Sequence, residues 1–271
     1  MLPMQETKAE SPVFAGIDVG SLTAKCVLIS KNGMHAYAVM DTGAKPDKAG
    51  ETVFVQALDK ASAEKSNVRY SVGTGYGRIS LSFVDRVVTE LTCHARGAHF
   101  LDPAVRTVID IGGQDSKVIR VNPDGSMSDF IMNDKCAAGT GRFLQIMARA
   151  LETELENLGE FSLTSSQPSR INSICTVFAE SEVVSLLASG EKMENIAAGL
   201  HRSVAKRVGN MAKRLGLQKK IVFVGGVAKN IGVRNALEDY LEIRFASLDQ
   251  DPQIIGALGA AVLARERYLS A

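Results

Sequence analysis

Two segments of this chain are copies of one another. FAGIDVGSLTAKCVLISKNG (residues 14–33) and RTVIDIGGQDSKVIRVNPDG (residues 106–125) align without a gap, 92 residues apart. Ile17, Asp18, Gly20, Lys25 and Gly33 fall on Ile109, Asp110, Gly112, Lys117 and Gly125. Each copy reads as an apolar strand ending in Asp, a glycine turn, and a second β-rich strand closing at an Asn-Gly or Asp-Gly turn signal. A chain built this way folds as two pseudo-equivalent halves. The expected architecture is α/β, two matched halves around a cleft.

The repeat also suggests chemistry. Glycines at a hairpin tip let backbone approach a ligand, and the N–H groups of a turn cradle phosphate oxygens. Ser21, Thr23 and Lys25 add donors in the first copy, and Gln114, Asp115 and Lys117 follow the second. An Asp at each strand end suits a hydrated magnesium ion or a positioned water, because magnesium prefers oxygen ligands and retains water. A single DxG reads first as a turn with no ligand; its duplication with a matching Lys points to a polyphosphate clamp. Further on, IVFVGGVAKNIGVRNAL (residues 221–237) reads as a third strand, a Gly-Gly turn and a helix, with Asn230 near the helix entry. Such a turn flanks an adenosine moiety, or simply packs a strand on a helix.

With 271 residues and 45% hydrophobic content the chain can bury a large core. Lys+Arg 31 against Asp+Glu 30 leaves a formal charge of +1. No global field draws nucleic acid or an anionic membrane. No apolar run approaches the ~18 residues of a membrane span, and no signal peptide is recognisable, so a cytoplasmic protein is expected. The four cysteines, Cys26, Cys93, Cys136 and Cys175, do not suggest a disulfide framework. Cys26, in an apolar strand, and Cys93, on a helix, read as buried structural thiols. His94, His99 and His201 show no ligand spacing and read as structural or surface residues. Glu180 and Glu182 follow Cys175 on a helix and either approach a nucleotide or partner or face solvent.

The expected division is a flexible terminus over residues 1–11, a first half over 12–104 plus 252–271, and a second half over 105–251. Helical periodicity is evident in VVTELTCHARGAHF, FLQIMARALETEL, ESEVVSLLASG, IAAGLHRSVAKRVGNMAKRL and the closing QIIGALGAAVLARERYL.

DVGSLTAK, DIGGQDSK and VGGVAKN together resemble the phosphate and adenosine elements of the actin, hexokinase and Hsp70 type of ATPase, whose two ribonuclease-H-like halves close on ATP. Within that group, NDKCAAGTGRF, ICTVFAESEV and GLHRSVAKRV are similar to the activators of 2-hydroxyacyl-CoA dehydratases, relatives of the ATPase subunits of benzoyl-CoA reductase. The likeness runs from about Val13 to the C-terminus.

The resemblance implies a homodimer with one [4Fe–4S] cluster between its subunits, ATP/ADP and Mg2+ as further cofactors, a dehydratase or similar iron–sulfur enzyme as electron acceptor, and ferredoxin or flavodoxin as donor. It places the cluster ligands at Cys136 and Cys175. A [4Fe–4S] cube needs four thiolates, and a twofold axis doubles the two cysteines of one chain. Asp18, Asp110 and Gln114 are expected to organise magnesium and the attacking water. Gly20, Ser21, Leu22, Thr23, Ala24, Lys25, Gly112, Gly113, Gly139, Thr140, Gly225, Gly226, Asn230 and Gln253 are expected to line the nucleotide. Other readings share the fold: a reductase for a double-cubane cluster protein, an aryl-CoA reductase ATPase subunit, a small-molecule kinase, or an actin-like scaffold. The last two leave the cysteine motifs unexplained.

Overall fold

The computed structural model describes residues 12–172 and 175–271; the terminus over 1–11, expected to be flexible, lies outside the described residues. The elements are β1 (Val13–Val19), β2 (Thr23–Ser30), β3 (Gly33–Asp41), α1 (Pro46–Ala61), β4 (Val68–Thr74), β5 (Arg86–Val87) and α2 (Glu90–Leu101). They continue as β6 (Thr107–Ile111), β7 (Ser116–Val121), β8 (Met127–Asn133), α3 (Gly141–Ala150), α4 (Asn157–Leu163), α5 (Thr176–Ala188) and α6 (Met193–Leu215). The chain ends with β9 (Ile221–Val224), α7 (Ile231–Leu241) and α8 (Ile255–Leu269).

The duplication is realised in the sheets. One has the order β3-β2-β1-β4-β5, the other β8-β7-β6-β9. In each, the repeated segment is an antiparallel hairpin whose first strand also pairs in parallel with a later strand, β4 or β9. The register is equivalent: Asp18 lies opposite Lys25, and Asp110 opposite Lys117. The two halves are therefore ribonuclease-H-like α/β units of actin-like type.

Both faces of each sheet are covered, which is why β1 and β6 are buried along their whole length. Ala15, Ile17 and Val19 point into a core shared with Val53, Phe54, Ala57 and Leu58 of α1, while Phe14 points the other way, onto α8. In the second sheet Ile109 and Ile111 meet α3 and α6, and Val108, Ile119 and Val222 meet Ala95 and Ala98 of α2. Each fully buried Ile, Val or Phe contributes roughly 1.5–3 kcal/mol through burial. Helices α2 and α8 cross between the sheets, with Gly97 against the Ile255 carbonyl and Gly259 against the Cys93 carbonyl. A side chain at either glycine would force the crossing apart.

The symmetry extends past the part visible as a repeat. β4 is followed by Gly75, with φ +84°, and β9 by Gly225, with φ +86°; each opens a short 3-10 turn, Tyr76–Ser80 or Gly226–Lys229. A Cβ on Gly75 would overlap Asp18 Oδ1, and one on Gly225 would overlap Asp110 Oδ1. Both glycines are needed for their left-handed backbone and to let the strand-end Asp stand beside the turn.

Candidate functional site

The two hairpin tips meet. Leu22, at the first tip, lies directly over Gly113 at the second: a Cβ on Gly113 would come within 2.6 Å of Leu22 Cγ. At the first tip the Gly20 N–H donates to the Thr23 carbonyl (3.0 Å), and Lys25 Nζ donates to the same carbonyl (3.2 Å) while lying 3.6 Å from Asp18. Ser21, Leu22 and Thr23 are half-buried, whereas the Ala24 side chain is buried in the first core.

Behind the tips lies a buried ionic cluster. Lys117 Nζ, on a side chain only 2% exposed, faces three carboxylates: Asp115 at 2.8 Å, Asp110 at 3.1 Å and Glu90 at 3.6 Å. His94 Nε2 is 3.6 Å from Asp110, and its Nδ1–H donates to the Glu90 carbonyl (2.9 Å). Asp18 and His94 both lie against Gly256 at the start of α8, so the strand-end carboxylates of the two halves converge there. Burial alone would raise the Asp110 carboxyl, but His94 and Lys117 hold it below the usual carboxylate range. Burial alone would lower Lys117; Asp110, Glu90 and Asp115 together hold it above the ordinary lysine value. Burial raises Glu90, and Lys117 only partly opposes this.

The copies thus diverge in use. Lys117, which the repeat matched to Lys25, is held inside the protein by carboxylates, so it is not free to donate to a phosphate. His94, expected to be structural or on the surface, is buried within the cluster. Gln114 is exposed at the second tip. The sequence reading missed Glu90 and the Gly75 turn. The turn matches the Gly225 turn in structure, but its separation from its hairpin differs, so a gapless alignment does not find it.

The Cys136 loop is bonded to the second tip. The Gly141 and Arg142 N–H groups, at the start of α3, donate to the Gly112 and Gly113 carbonyls (2.9 and 2.8 Å). Asn133 Nδ2 donates to the Cys136 carbonyl (2.8 Å), and buried Thr140 turns its hydroxyl back onto the Ala137 carbonyl (2.6 Å). Gly139, with φ +85°, backs onto Arg207 of α6. At the turn after β9, the Gly225 N–H donates to the Pro252 carbonyl (2.9 Å), Gln253 lies beside Gly226 and accepts from Lys229 (2.7 Å), and Asn230 caps α7 by accepting from the Val233 N–H (3.0 Å).

The cysteines separate into two kinds. Cys26 and Cys93 are fully buried; burial raises both thiols, Cys93 to about 12, so neither is a ready ligand. Cys136 is half-buried, and Cys175 is exposed at the N-cap of α5. Next to it Val177 and Phe178 are 65% and 67% exposed. Glu180 is exposed, and Glu182 accepts from the Asn172 backbone N–H (3.0 Å). Among the described residues no group of three or more His, Cys, Asp or Glu side chains is arranged to hold a metal ion. No helix among the described residues is long and apolar enough to cross a membrane. A surface concavity of about 820 Å3, lined by residues such as Lys219, Glu238, Glu242 and Arg244, includes neither hairpin. It is lined by residues remote in sequence from the converging carboxylates.

The chain is similar to the activator of lactoyl-CoA dehydratase of Anaerotignum propionicum, 47% identical over 93% of this chain and 96% of that one. Among solved structures it is similar to the (R)-2-hydroxyglutaryl-CoA dehydratase component A of Acidaminococcus fermentans, with TM-score 0.90 and 45% identity over 96% and 100% of the two chains. It is also similar to the activator of the 2-hydroxyisocaproyl-CoA dehydratase of Clostridium difficile with bound ADPNP, with TM-score 0.90 and 42% identity over 95% and 96%. Residues 15–264 match one family as a continuous stretch that takes in both hairpins, the ionic cluster and both exposed-side cysteines, and the chain belongs to the BadF/BadG/BcrA/BcrD ATPase family.

Proposed function

We propose that this ATPase activates a 2-hydroxyacyl-CoA dehydratase by ATP-dependent one-electron transfer, as a homodimer in the cytoplasm with ferredoxin or flavodoxin as donor. The observation that carries the reading is the pair of hydrogen bonds from Gly141 and Arg142 to Gly112 and Gly113: the loop bearing Cys136 is fastened to a phosphate hairpin. Relatives that span nearly the whole chain and are named as dehydratase activators support the same conclusion.

Cys136 and Cys175 of each protomer would hold one [4Fe–4S] cluster, for which their accessible thiols fit and those of Cys26 and Cys93 do not. When bound, the cluster supplies a one-electron carrier. The uncovered apolar side chains of α5 beside Cys175 suit a face closed by a second copy. Asp18 and Asp110 fit Mg2+, which takes one or two carboxylates and completes its shell with phosphate oxygens and water. Lys25 and the N–H groups of the tips orient the phosphates, while the Gly225 turn, Asn230 and Gln253 flank the adenosine. A change of the second tip on hydrolysis reaches the Cys136 loop through two backbone bonds, without a relay of side chains.

The test is reconstitution. Anaerobically purified protein, a reductant, Mg-ATP and a 2-hydroxyacyl-CoA dehydratase are combined, and dehydration of the acyl-CoA is followed. Activation that needs ATP and this protein is expected. Activation without ATP, or none with any dehydratase of the class, overturns the reading.

A further inference from the structure

We propose that Glu182 is the positioning residue that holds Cys175 as the stationary ligand of the cluster. This rests on the cluster reading of the two accessible cysteines. An Asn stands three residues before each of them, Asn133 before Cys136 and Asn172 before Cys175. The two are used differently. Asn133 Nδ2 donates to the Cys136 and Ala138 carbonyls (2.8 and 3.3 Å), inside the loop that leads to α3 and the second hairpin tip. The Asn172 backbone N–H instead donates to both carboxylate oxygens of Glu182 (3.0 and 3.1 Å), and its Nδ2 donates to Oε1 (3.1 Å).

Helix geometry makes that contact a brace. Cys175 caps α5 and Glu182 follows seven residues later, which is two turns, about 10 Å along the axis and on the same side of the helix. Bonding Asn172 to Glu182 therefore draws the chain before the cysteine back beside the helix that follows it, with Cys175 at the bend. The helix is itself fixed, because Ala179 and Val183 enter the core of the second half. Upstream, the Ser169 N–H donates to the Asn195 carbonyl (2.9 Å), and the Ser169 carbonyl sits against Gly199 of α6.

The two cysteines of one chain are thus anchored to different bodies. Cys136 rides on a loop fastened to Gly112 and Gly113, and Cys175 is braced against α5 and α6. A tip that shifts with nucleotide moves Cys136 relative to Cys175 only while the latter is held still. A carboxylate suits the bracing role, since hydrogen bonds to an ionised acceptor are shorter and stronger than neutral ones.

Iron removal by bathophenanthroline with ADP and with ATP, the EPR spectrum of the reduced cluster, and ATP turnover test this. They are measured on the anaerobically prepared full chain as wild type, Glu182→Ala, Asn172→Asp and the double variant Asn172→Asp/Glu182→Gln. Each single substitution is expected to speed stripping with ADP by about 10-fold or more, the scale of a lost hydrogen bond to a charged group. Each should also alter the EPR spectrum and bring the ratio of the ATP and ADP rates toward one. A preparation already lacking iron, with ATP turnover retained, is the extreme of the same result. In the double variant the Gln amide donates to the Asp carboxylate while its oxygen accepts the backbone N–H, so spectrum and stripping should return, the latter to within about 3-fold of wild type. Stripping of Glu182→Ala within about 2-fold of wild type overturns the proposal, as does a double variant stripped as fast as the singles. A parallel fall of melting temperature and ATP turnover in the singles marks a contact that merely supports the fold, and overturns it too. Wild type that binds no iron overturns the underlying cluster reading instead, and is recognised before any variant is compared.

Discussion

His201 offers a measurable consequence of burial. It lies on α6 against Gly232, at the entry of α7; it is 1% exposed, and among the described residues neither ring nitrogen has a hydrogen-bond partner. Burial lowers its pKa from 6.5 to about 4. The folded state therefore holds the ring neutral over a range in which the unfolded chain protonates it. This contribution to stability is fully present above pH 6.5 and is lost as the pH falls from there toward 4. Each pH unit within that window costs about 1.4 kcal/mol, so moving from pH 7.5 to pH 5 removes about 2 kcal/mol. His201→Leu abolishes the titration and replaces an unpartnered buried polar ring with an apolar side chain, so at pH 7.5 it should lie within about 1 kcal/mol of wild type. Urea unfolding of both proteins, anaerobically and at matched nucleotide concentration, reads the difference. On going from pH 7.5 to pH 5, wild type should lose about 2 kcal/mol more than the variant. An equal loss in both proteins would refute the reasoning, because the imidazole would then protonate as readily folded as unfolded.

Cys136→Ala or Cys175→Ala should abolish bound iron and sulfide, because each removes two of four ligands from a twofold site; full iron in either anaerobic preparation refutes the ligand assignment. Lys25→Ala and Asp110→Asn should each lower ATP turnover by about 10²-fold or more while iron content stays near wild type, and unchanged turnover in both refutes the two-hairpin clamp. Iron should be stripped by bathophenanthroline at different rates with ATP and with ADP. Gly139→Val should blunt that difference, since φ +85° and the Arg207 side chain leave a branched residue no relaxed position. Equal stripping rates with ATP, ADP and no nucleotide in the wild type would show the two sites uncoupled.

The sequence by itself determined what repeats and local chemistry encode. Strand-end aspartates, hairpin glycines and the Asn-Gly and Asp-Gly turn signals were legible because hairpin register and turn conformation depend on neighbours in the chain. The two matched sheets followed from them, and so did the distinction between strand-buried Cys26 and loop-borne Cys136. What only the tertiary structure decided concerns groups that meet across long separations. Lys25 and Lys117 occupy equivalent registers, yet Lys117 is held inside the protein because α2 delivers Glu90 and His94 to one sheet and not to the other. Gly75 and Gly225 match in backbone and in contact, but the longer chain between hairpin and turn in the second half removed the fixed spacing by which a repeat is recognised. Thr140 and Asn230 looked free to meet a ligand, and packing turned the hydroxyl of one onto Ala137 and the amide oxygen of the other onto the Val233 N–H. Periodicity reports which face of an element is buried; which charges then meet depends on how the helices cross, and the crossing of α2 and α8 at Gly97 and Gly259 is a property of the packed whole.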